Sequence, residues 1–394
     1  MQHNGILIIN AGSTSLKFAL YTYTKKLNLI CRGAFTQIPD NTNLIIHDQN
    51  NNTIFNAQLQ DVNNYKLAFS QLITILNKNF ATIDIKYAGH RIVSGGDKYA
   101  QGVILNTSIL DYLASLNKIE PTHQNYEVAV AKDLMDLMPN IIQTASFDTA
   151  FHQTLPQVAK FYPVPKEITK HCVQHWGFHG LSYHYIANTF IKLNPKAKKI
   201  IVAHLGGGAS ICAIKNAKSI ETSMQFGALT GLPMATRSGD FPVDAAFYLL
   251  QEKIFTLPEL SHLLSTQSGL ASSGVSANMQ ILRQKHNNFA AQTAIKQFEY
   301  ALLKYIGSYI TILGGVDALI FTAGIGENDA LLRENIVKKL NFLMIKLNKH
   351  KNQLAVGMKN AIKISSNNSK TEVWVIPTNE EIMIAQELVT VLKL

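Results

Sequence analysis

Two apolar stretches, almost half the chain apart, share one pattern of hydrophobic and polar positions. In each, an apolar strand leads into a turn rich in Gly and Ser and a second apolar strand follows, over residues 6–20 and 200–214. The pattern predicts two hairpins whose turns expose backbone N–H groups, so that an anion can approach without meeting Cβ atoms. Ordinary hairpins would explain either stretch alone. Together, with Lys17 just past the first turn and His204 just before the second, they favour a duplicated fold that binds a nucleotide between its halves.

The rest of the pattern predicts alternating strands and helices in two domains. Strands are predicted at residues 28–36, 44–47, 53–59, 141–147, 318–322 and 372–376, and helices at 66–79, 107–117, 125–137 and, as a mainly helical segment, 243–312. A chain of 394 residues exceeds what one hydrophobic core usually serves. We therefore predict an N-terminal α/β domain over residues 1–149, completed by a C-terminal helix over 381–394, and a C-terminal nucleotide-binding α/β domain over 150–380.

Composition and charge narrow the class of protein. The chain is 47% hydrophobic and 16% charged, no apolar run is long enough to span a bilayer, and residues 1–5 lack the basic segment of a signal peptide. The three cysteines are an odd and widely spaced set, which argues against a disulfide framework and against a cysteine zinc site. A reducing cytoplasm is therefore the expected location.

The formal net charge of +10 raises the question of nucleic-acid or membrane partners. The densest basic runs, at 196–199 and 338–351, fall on connecting or amphipathic segments without interleaved aromatic clusters. They are typical of a solvated face rather than of a nucleic-acid patch. We expect small-molecule substrates, and neither nucleic acid nor a membrane as a partner.

A third glycine turn follows the buried strand at 318–322. The turn at 323–328 leads to a helix predicted to begin near Asp329, and exposed amides at a helix N-terminus favour an anion or a nucleotide. A Rossmann fingerprint is incomplete here, because Asp329 stands where the third glycine belongs, and the chain has no Walker A loop. These features disfavour a NAD-dependent enzyme and leave ATP binding to another kind of loop.

Eight motifs in chain order link these turns to a known family. They are Asn10–Lys17, His90–Gly96, Phe147–His152, Gly177–Gly180, His204–Gly208, Thr236–Asp240, Gly324–Asn328 and Pro377–Glu380. From about residue 6 to the closing helix, the chain resembles the acetate kinase family. The resemblance implies a duplicated actin-like ATPase fold with two domains around a nucleotide cleft, a homodimer, and reversible Mg²⁺-dependent transfer of a phosphoryl group from ATP to acetate or another short carboxylate.

The resemblance also implies catalytic roles. Arg91 is assigned to the substrate carboxylate, and His179 and Arg237 to the transition state, in agreement with the positive charge that phosphoryl transfer needs. Asp148 is the remaining catalytic residue. A carboxylate substrate is ionised at neutral pH and carries no proton for a base, so we predict that Asp148 orients an arginine or a magnesium-bound water. For Arg91 and Arg237 the alternative role is a surface salt bridge. For Asp148 the alternative is a structural aspartate in a turn or at a helix N-cap.

The histidines of the second half allow a competing interpretation, because four of them crowd positions 171, 175, 179 and 184. A metal site is disfavoured here, since the segment lacks the Glu of a His-Glu-x-x-His motif, and Gly177 and Gly180 interrupt any helix. For His175 and His184, a hydrogen-bonded position in the core remains the alternative.

Further site residues follow from the same resemblance. The Mg²⁺ site, which Mn²⁺ would also fit, is assigned to the hard oxygen ligands of Asn10 and Glu380. The ATP and ADP site is assigned to Ser13, Thr14, Lys17, His204, Leu205, Gly206, Gly207, Gly208, Asn278, Met279, Gln280, Gly324, Ile325, Gly326, Glu327 and Asn328. The acyl pocket is assigned to Arg91, Val93, Thr122, His123, Phe178 and Ala228. Small side chains at 122 and 228 leave room for one methylene, which is worth about 1–3 kcal/mol, so propionate is expected beside acetate.

Three departures from the family's motifs affect the prediction. Gly207 replaces an Asn in the glycine turn, Ser94 replaces a His, and residues 278–280 read Asn-Met-Gln where an Asp-x-Arg pair contacts the nucleoside. The last change leaves the preferred nucleotide open.

A triple glycine also occurs in butyrate kinases, whereas the loop Thr236–Asp240 favours acetate kinases. A propionate or butyrate kinase, a sugar kinase and a non-transferring actin-like ATPase are the alternative functions.

Overall fold

The structure is a computed structural model, and it describes residues 3–12, 14–118, 120 and 123–394. The chain divides into two compact units. The first, which we call the N-unit, contains Met1–Phe151 and Asn379–Leu394, and the second, the C-unit, contains His152–Thr378.

Strands and helices alternate along most of the chain. The described strands are β1 (His3–Ala11), β2 (Ser15–Tyr23), β3 (Leu27–Thr36), β4 (Asn43–Asp48), β5 (Thr53–Gln58), β6 (Ile83–Ile92), β7 (Val103–Ile104), β8 (Ile142–Phe147), β9 (Lys199–Leu205), β10 (Ala209–Lys215), β11 (Lys218–Thr222), β12 (Ala318–Thr322), β13 (Ile362–Lys363) and β14 (Glu372–Val375). The described helices are α1 (Tyr65–Asn79), α2 (Thr107–Ser115), α3 (Gln124–Leu137), α4 (Gln157–Lys160), α5 (Lys166–Thr169), α6 (Gly180–Leu193), α7 (Val243–Gln251), α8 (Leu257–Thr266), α9 (Met279–Gln284), α10 (Phe289–Leu313), α11 (Ala323–Asn328), α12 (Ala330–Lys339), α13 (Lys349–Leu354) and α14 (Glu380–Leu392).

A mixed sheet forms the centre of the N-unit. In the described residues its strand order is β5-β4-β3-β2-β1-β6-β8-β7, with β1 antiparallel to β2 and parallel to β6, and with β6 parallel to β8. Helix α1 buries Phe69, Leu72 and Leu76, which lie on one helical face and join the core cluster that contains Leu7 and Phe18. Helix α14 contacts β1, β6 and β8. Because β6 and β8 are parallel neighbours, their carboxyl ends lie side by side at the same end of the sheet.

The sheet of the C-unit repeats this topology. Its strand order across the described part of the chain is β11-β10-β9-β12-β14-β13, with β9 antiparallel to β10 and parallel to β12, and with β12 parallel to β14. The order β3-β2-β1-β6-β8 thus recurs as β11-β10-β9-β12-β14. The two predicted hairpins are β1/β2, which pairs Asn10 with Lys17, and β9/β10, which pairs Leu205 with Ala209. The predicted duplicated α/β fold is confirmed.

One local prediction is wrong. Residues 323–328, expected to form a Gly-x-Gly turn, form the six-residue helix α11 directly after β12. The carboxylate of Glu327 explains the difference, because its Oε1 accepts the N–H of Ala323 at 2.7 Å and so satisfies one of the free donors at the start of the helix. The next helix begins at Ala330 with Asp329 as its N-cap, which agrees with the predicted start near Asp329.

No helix in the described part of the chain combines the length and the apolar character that a membrane crossing requires.

Candidate active site

An arginine at the end of β6 is the centre of a charged network in the N-unit. The Nε and Nη2 of Arg91 donate to Oδ2 of Asp148 at 3.1 and 2.6 Å, and its Nη1 donates to Oε1 of Glu127 at 2.8 Å. Asp148 directly follows β8, the parallel neighbour of β6, which is why the two side chains meet. The Arg91 side chain is only 16% exposed. Asp148 therefore fixes the orientation of the guanidinium from one side.

Glu127 fixes Arg91 from the other side, and the sequence-based site did not include it. Its side chain is fully buried in the first turn of α3, and its Oε2 accepts the N–H of Val93 at 2.6 Å. Burial raises the pKa of Glu127 to about 8, although Arg91 and the Val93 N–H both act to lower it. The available signal was an acidic residue on the apolar face of a predicted helix, where it needs a partner.

Asn10 and Glu380 meet next to this network. Asn10 lies near the end of β1 and Glu380 begins α14, with Nδ2 of Asn10 3.5 Å from Oε2 of Glu380. The pKa of Glu380 is raised to about 7, because burial and the charge of Asp148 raise it more than Arg91 and Lys17 lower it. Carboxylates thus outnumber buried cations here, and a divalent cation would relieve their repulsion.

The donor chemistry at Asn10 and Glu380 suits Mg²⁺. Both side chains offer hard oxygen ligands, and Mg²⁺ usually keeps several waters beside one or two protein ligands. Over the described ranges, no three His, Cys, Asp or Glu side chains form a group that would hold a metal ion. A site completed by water or phosphate oxygens is therefore the kind that these residues fit.

Two stacked histidines lie at the centre of the candidate site in the C-unit. The rings of His179 and His204 lie 4.2 Å apart at an angle of 20°. Nδ1 of His179 is 2.8 Å from the Ser210 hydroxyl, and Nδ1 of His204 is 2.8 Å from the Ser182 hydroxyl. His179 adopts a left-handed φ of 59° immediately before α6, which directs its ring toward β10 rather than along the helix. The two serines thus hold both imidazoles through Nδ1.

The glycine turn after β9 brings Arg237 to the same place. A Cβ atom built on Gly208 would lie 3.2 Å from Nε2 of His179 and 3.9 Å from Nη2 of Arg237. Nη1 of Arg237 donates to the carbonyl oxygen of Ala228 at 2.8 Å, and the N–H of Ala235 donates to Gly207 at 3.0 Å. The absence of side chains in the turn therefore lets an imidazole and a guanidinium approach the backbone together.

The turn gives a testable substitution. We expect Gly208→Ala to lower kcat roughly tenfold to a hundredfold, because the added methyl group would lie 3.2 Å from Nε2 of His179 and push the ring from its place. Gly307→Ala is the control, since Gly307 is an exposed residue of α10 with nothing within 4 Å of its Cβ position. Steady-state kinetics of both variants, with thermal unfolding to compare their stability, test this. Equal losses of kcat in the two variants would contradict the assignment of His179 to the reaction.

A cavity of about 960 Å³ opens beside the turn in the C-unit. This volume is in the range of small-molecule sites. Of the residues predicted for the nucleotide, those that line the cavity are Gly206, Gly207, Asn278, Met279, Gln280, Gly324, Ile325 and Asn328. Gly207 faces open space, so the Asn-to-Gly departure enlarges the cavity rather than relieving a clash.

Other residues predicted for the nucleotide support the cavity wall. The carboxylate of Glu327 accepts the N–H groups of Ala323 and Thr378 at 2.7 and 3.2 Å, and Gly326 lies where α11 approaches β9 and β12. Leu205 is buried at the end of β9.

The remaining residues predicted for the nucleotide belong to the N-unit. There, Lys17 is exposed on β2, and the carbonyl oxygen of Thr14 accepts the N–H of Ile38. Ser13 lies outside the described residues.

Arginine side chains that the sequence did not single out also shape this wall. Arg283 lines the cavity, and its Nε donates to Asp329 at 2.9 Å while its Nη2 donates to Glu299 at 2.8 Å. Arg333 is fully buried, and its Nη1 donates to the carbonyl oxygens of Gly326 and Glu327 at 2.8 Å each. Arg333 thereby fastens the last turn of α11. The partners of Arg283 lie 46 and 16 residues away along the chain, whereas the α11 residues that bind Arg333 lie only seven and six residues away. No sequence pattern marks either set of contacts.

The residues predicted for the acyl pocket fall in both units. Val93 is buried in the N-unit, and Nδ1 of His123 is 3.2 Å from Oε1 of Glu120. Phe178 is buried in the C-unit, where its carbonyl oxygen is 2.9 Å from Nε2 of His152, and Ala228 binds Arg237 through its carbonyl oxygen. Thr122 lies outside the described residues.

Of the other crowded histidines, His175 has a structural role. Both ring nitrogens of His175 lie near backbone carbonyl oxygens, those of Ala159 and Met224, at 3.1 and 3.0 Å. His175 is buried and matches the alternative of a hydrogen-bonded core histidine. His184 is half-buried on α6.

The repeated sheets, with charged and glycine-lined sites at the carboxyl ends of their strands, define a phosphotransferase of the duplicated actin-like ATPase fold. Residues 5–386 match the sequence profile of the acetokinase family. The chain belongs to the acetokinase family.

Individual relatives match the chain over almost its whole length. An acetate kinase of Thermoanaerobacterium thermosaccharolyticum is 38% identical over 395 residues, with 97% of each chain covered. An acetate kinase of Rhodopseudomonas palustris is 36% identical over 390 residues, again with 97% of each chain covered.

Two crystal structures extend the similarity to the backbone. Acetate kinase of Porphyromonas gingivalis has a TM-score of 0.88 at 30% identity and covers 99% of this chain and 100% of its own. A propionate kinase from Francisella tularensis has a TM-score of 0.90 at 33% identity and covers 98% of this chain and 99% of its own.

Proposed function

We propose that this protein is an acetate kinase, which transfers a phosphoryl group reversibly from ATP to acetate and forms acetyl phosphate and ADP. The observation that carries the proposal is the cluster of His179, Arg237 and Gly208 beside a cavity of nucleotide size. Phosphoryl transfer depends on positioning and on positive charge around the equatorial oxygens, and this cluster supplies both.

The network around Arg91 supports a carboxylate as the acceptor. Arg91 supplies the positive charge that attracts an anion, and Asp148 holds the guanidinium in place. In this proposal Asp148 and Glu127 hold Arg91 in place, and a fixed guanidinium suits a carboxylate acceptor better than the hydroxyl group of a sugar. Acetate needs no base, since it is ionised at neutral pH.

The same proposal includes a metal ion and a second acid. Asn10 and Glu380 would hold Mg²⁺, which when bound neutralises charge on the phosphate oxygens. Lys17, exposed on β2, is assigned to the ATP phosphates.

Propionate is a second acceptor in this proposal. One methylene is worth only about 1–3 kcal/mol of discrimination, and the similar structure from Francisella tularensis is a propionate kinase.

The test is an assay with Mg²⁺ and ATP in which hydroxylamine traps acyl phosphate, run with acids of two to four carbons. We expect acyl hydroxamate from acetate and, at a higher KM, from propionate. ATP hydrolysis without hydroxamate from any acid would overturn the transfer reaction and favour a non-transferring ATPase. Omitting Mg²⁺ and then adding Mn²⁺ tests the metal requirement.

An apolar helix on the C-unit supports the proposal of a homodimer. No residue of α7 is buried, although its sequence is Val-Asp-Ala-Ala-Phe-Tyr-Leu-Leu-Gln. Val243, Phe247 and Tyr248 are 64, 56 and 58% exposed, and Phe241 and Leu257 beside the helix are also exposed. Several exposed apolar side chains on one helix are typical of an interface, and a two-fold axis would bury the same helix on both copies.

We expect Phe247→Glu to convert the dimer to a monomer of 43.6 kDa, because a charge buried in an apolar interface lacks a partner. Light scattering after gel filtration measures the mass. Val158→Glu is the control, since Val158 is 92% exposed on the separate helix α4. A Phe247→Glu variant that keeps the dimer mass would place the interface elsewhere.

A further inference from the structure

We propose that Tyr183 is a positioning residue that acts through the Ser210 hydroxyl and holds His179 in the tautomer with its proton on Nε2. In this arrangement Tyr183 donates to Ser210, Ser210 donates to Nδ1 of His179, and the Nε2–H group faces the glycine turn as a neutral donor. The positive charge at the turn then comes from Arg237. The inference rests on the proposed function, in which His179 stabilises the transition state.

The Ser210 hydroxyl lies between the two rings. Its Oγ is 2.8 Å from Nδ1 of His179 and 2.5 Å from Oη of Tyr183. Ser210 on β10 and Tyr183 on α6 are both fully buried. The protein, rather than bulk water, therefore sets the direction of these hydrogen bonds.

The chemistry of the two hydroxyl groups gives the bonds a direction. A phenol is a stronger donor and a weaker acceptor than an alcohol, because its ring withdraws electron density from the oxygen. Burial raises the pKa of Tyr183 well above its usual value, so the phenol keeps its proton. Among the described residues, Nδ1 of His179 is then the acceptor for the Ser210 proton. A neutral imidazole that accepts at Nδ1 carries its own proton on Nε2.

The ring of Tyr183 is fixed at the same helix start that carries His179. Its backbone N–H donates to the carbonyl oxygen of His179 at 3.1 Å, one turn earlier. The His152 ring packs edge-on against the Tyr183 ring at 5.6 Å and 76°, and Nε2 of His152 is 2.9 Å from the carbonyl oxygen of Phe178. These contacts hold the phenol and the imidazole in one local unit.

The other ring nitrogen of His179 faces the glycine turn. A Cβ atom built on Gly208 would lie 3.2 Å from Nε2, and glycine leaves that space for a phosphate oxygen. A donor whose proton is already on Nε2 needs no rearrangement when charge develops on the oxygen. The His204 ring stacks on His179 at 4.2 Å, where two charged rings would repel each other, so a neutral donor also suits the stack.

The kinetics of a double-mutant cycle test the path through Ser210. We expect Tyr183→Phe to lower kcat about threefold to tenfold, the range that one net hydrogen bond contributes, with little change in KM for either substrate. Ser210→Ala should lower kcat further, because it also releases Nδ1 of His179. In the Ser210→Ala background, Tyr183→Phe should have no additional effect on kcat.

Tyr309→Phe is the matched control. Tyr309 is a buried tyrosine of α10 in the C-unit, and its hydroxyl has no hydrogen-bond partner in the part of the chain that the structure describes. This variant should keep the wild-type kcat. Equal losses of kcat in Tyr183→Phe and Tyr309→Phe, or a Tyr183→Phe loss of the same size with and without Ser210→Ala, would overturn the inference.

The tautomer can be observed without kinetics. In protein with ¹⁵N-labelled histidine, a long-range ¹H–¹⁵N correlation spectrum shows which ring nitrogen carries a proton, and His179→Ala identifies the signals of His179. At the pH of the kinetic assay we expect a proton on Nε2 alone in the wild type, and a loss of this preference in Tyr183→Phe. A proton on Nδ1 in the wild type, with or without one on Nε2, would overturn the inference.

The proposed function fails separately. Failure to form acyl phosphate from any acid overturns the transfer reaction, and the tautomer of His179 is still measurable in that case. Conversely, a wild-type His179 with its proton on Nδ1 leaves the transfer reaction intact as long as acyl phosphate forms.

Discussion

Replacement of Arg237 by alanine is expected to lower kcat about 100-fold to 1,000-fold, the usual effect of removing one donor that stabilises transition-state charge. Nη2 of Arg237 lies near Gly208 and His179, next to the cavity assigned to the nucleotide. KM for ATP should change much less than kcat, because the contact strengthens as charge develops in the transition state.

Arg237→Lys should recover little of this activity, since an ammonium group cannot present the planar donors of a guanidinium. The control is Lys304→Ala, because Lys304 is an exposed cation on α10 and does not line the cavity. Circular dichroism and thermal unfolding would establish that both alanine variants fold. Wild-type kcat in folded Arg237→Ala would remove this residue from the mechanism.

Replacement of Asp148 by asparagine is expected to lower kcat/KM for the acid by at least 100-fold. The amide oxygen can take the place of Oδ2, which accepts both bonds, but it carries no charge. Both hydrogen bonds from Arg91 then lose their charge assistance, and the guanidinium is held less firmly in its orientation. Breaking a buried ion pair on one side also costs about 3–5 kcal/mol of stability. Kinetics should therefore be measured well below the melting temperature of the variant.

A double-mutant cycle separates positioning by Asp148 from direct participation. If Asp148 acts through Arg91, the variant Arg91→Ala/Asp148→Asn should lose no more activity than Arg91→Ala alone. If the two losses add, Asp148 has a role of its own and the positioning account is wrong.

The architecture could be predicted because its signals are local. Strands β1, β2, β9 and β10 are apolar runs interrupted by small residues, and hairpin pairing follows from such neighbouring segments. The same local reasoning failed at 323–328. There, two glycines suggested a turn, and the carboxylate of Glu327 instead completes the start of a short helix.

The residues predicted for the nucleotide site likewise include those with a local sequence signal and omit those without one. Glycines that leave room for a ligand are recognisable in a sequence, and Gly206, Gly207 and Gly324 do line the cavity. Arg283 was not recognised, because its partners Asp329 and Glu299 lie 46 and 16 residues away and approach it only after packing. Arg333 was not recognised although Gly326 and Glu327 are only seven and six residues away, because no sequence pattern marks bonds from its side chain to these carbonyl oxygens.

The order of strands and helices, the two hairpins and the family were thus encoded in short stretches of the chain, since side-chain periodicity and glycine conformation act over a few residues. The partners of Arg91 were not encoded in any short stretch of the chain. Glu127 and Asp148 lie 36 and 57 residues away along the chain, and the packing of α3 and β8 against β6 places them on either side of the guanidinium. The pKa of Glu127 is likewise a property of the packed protein, because burial removes the water that would stabilise its charge.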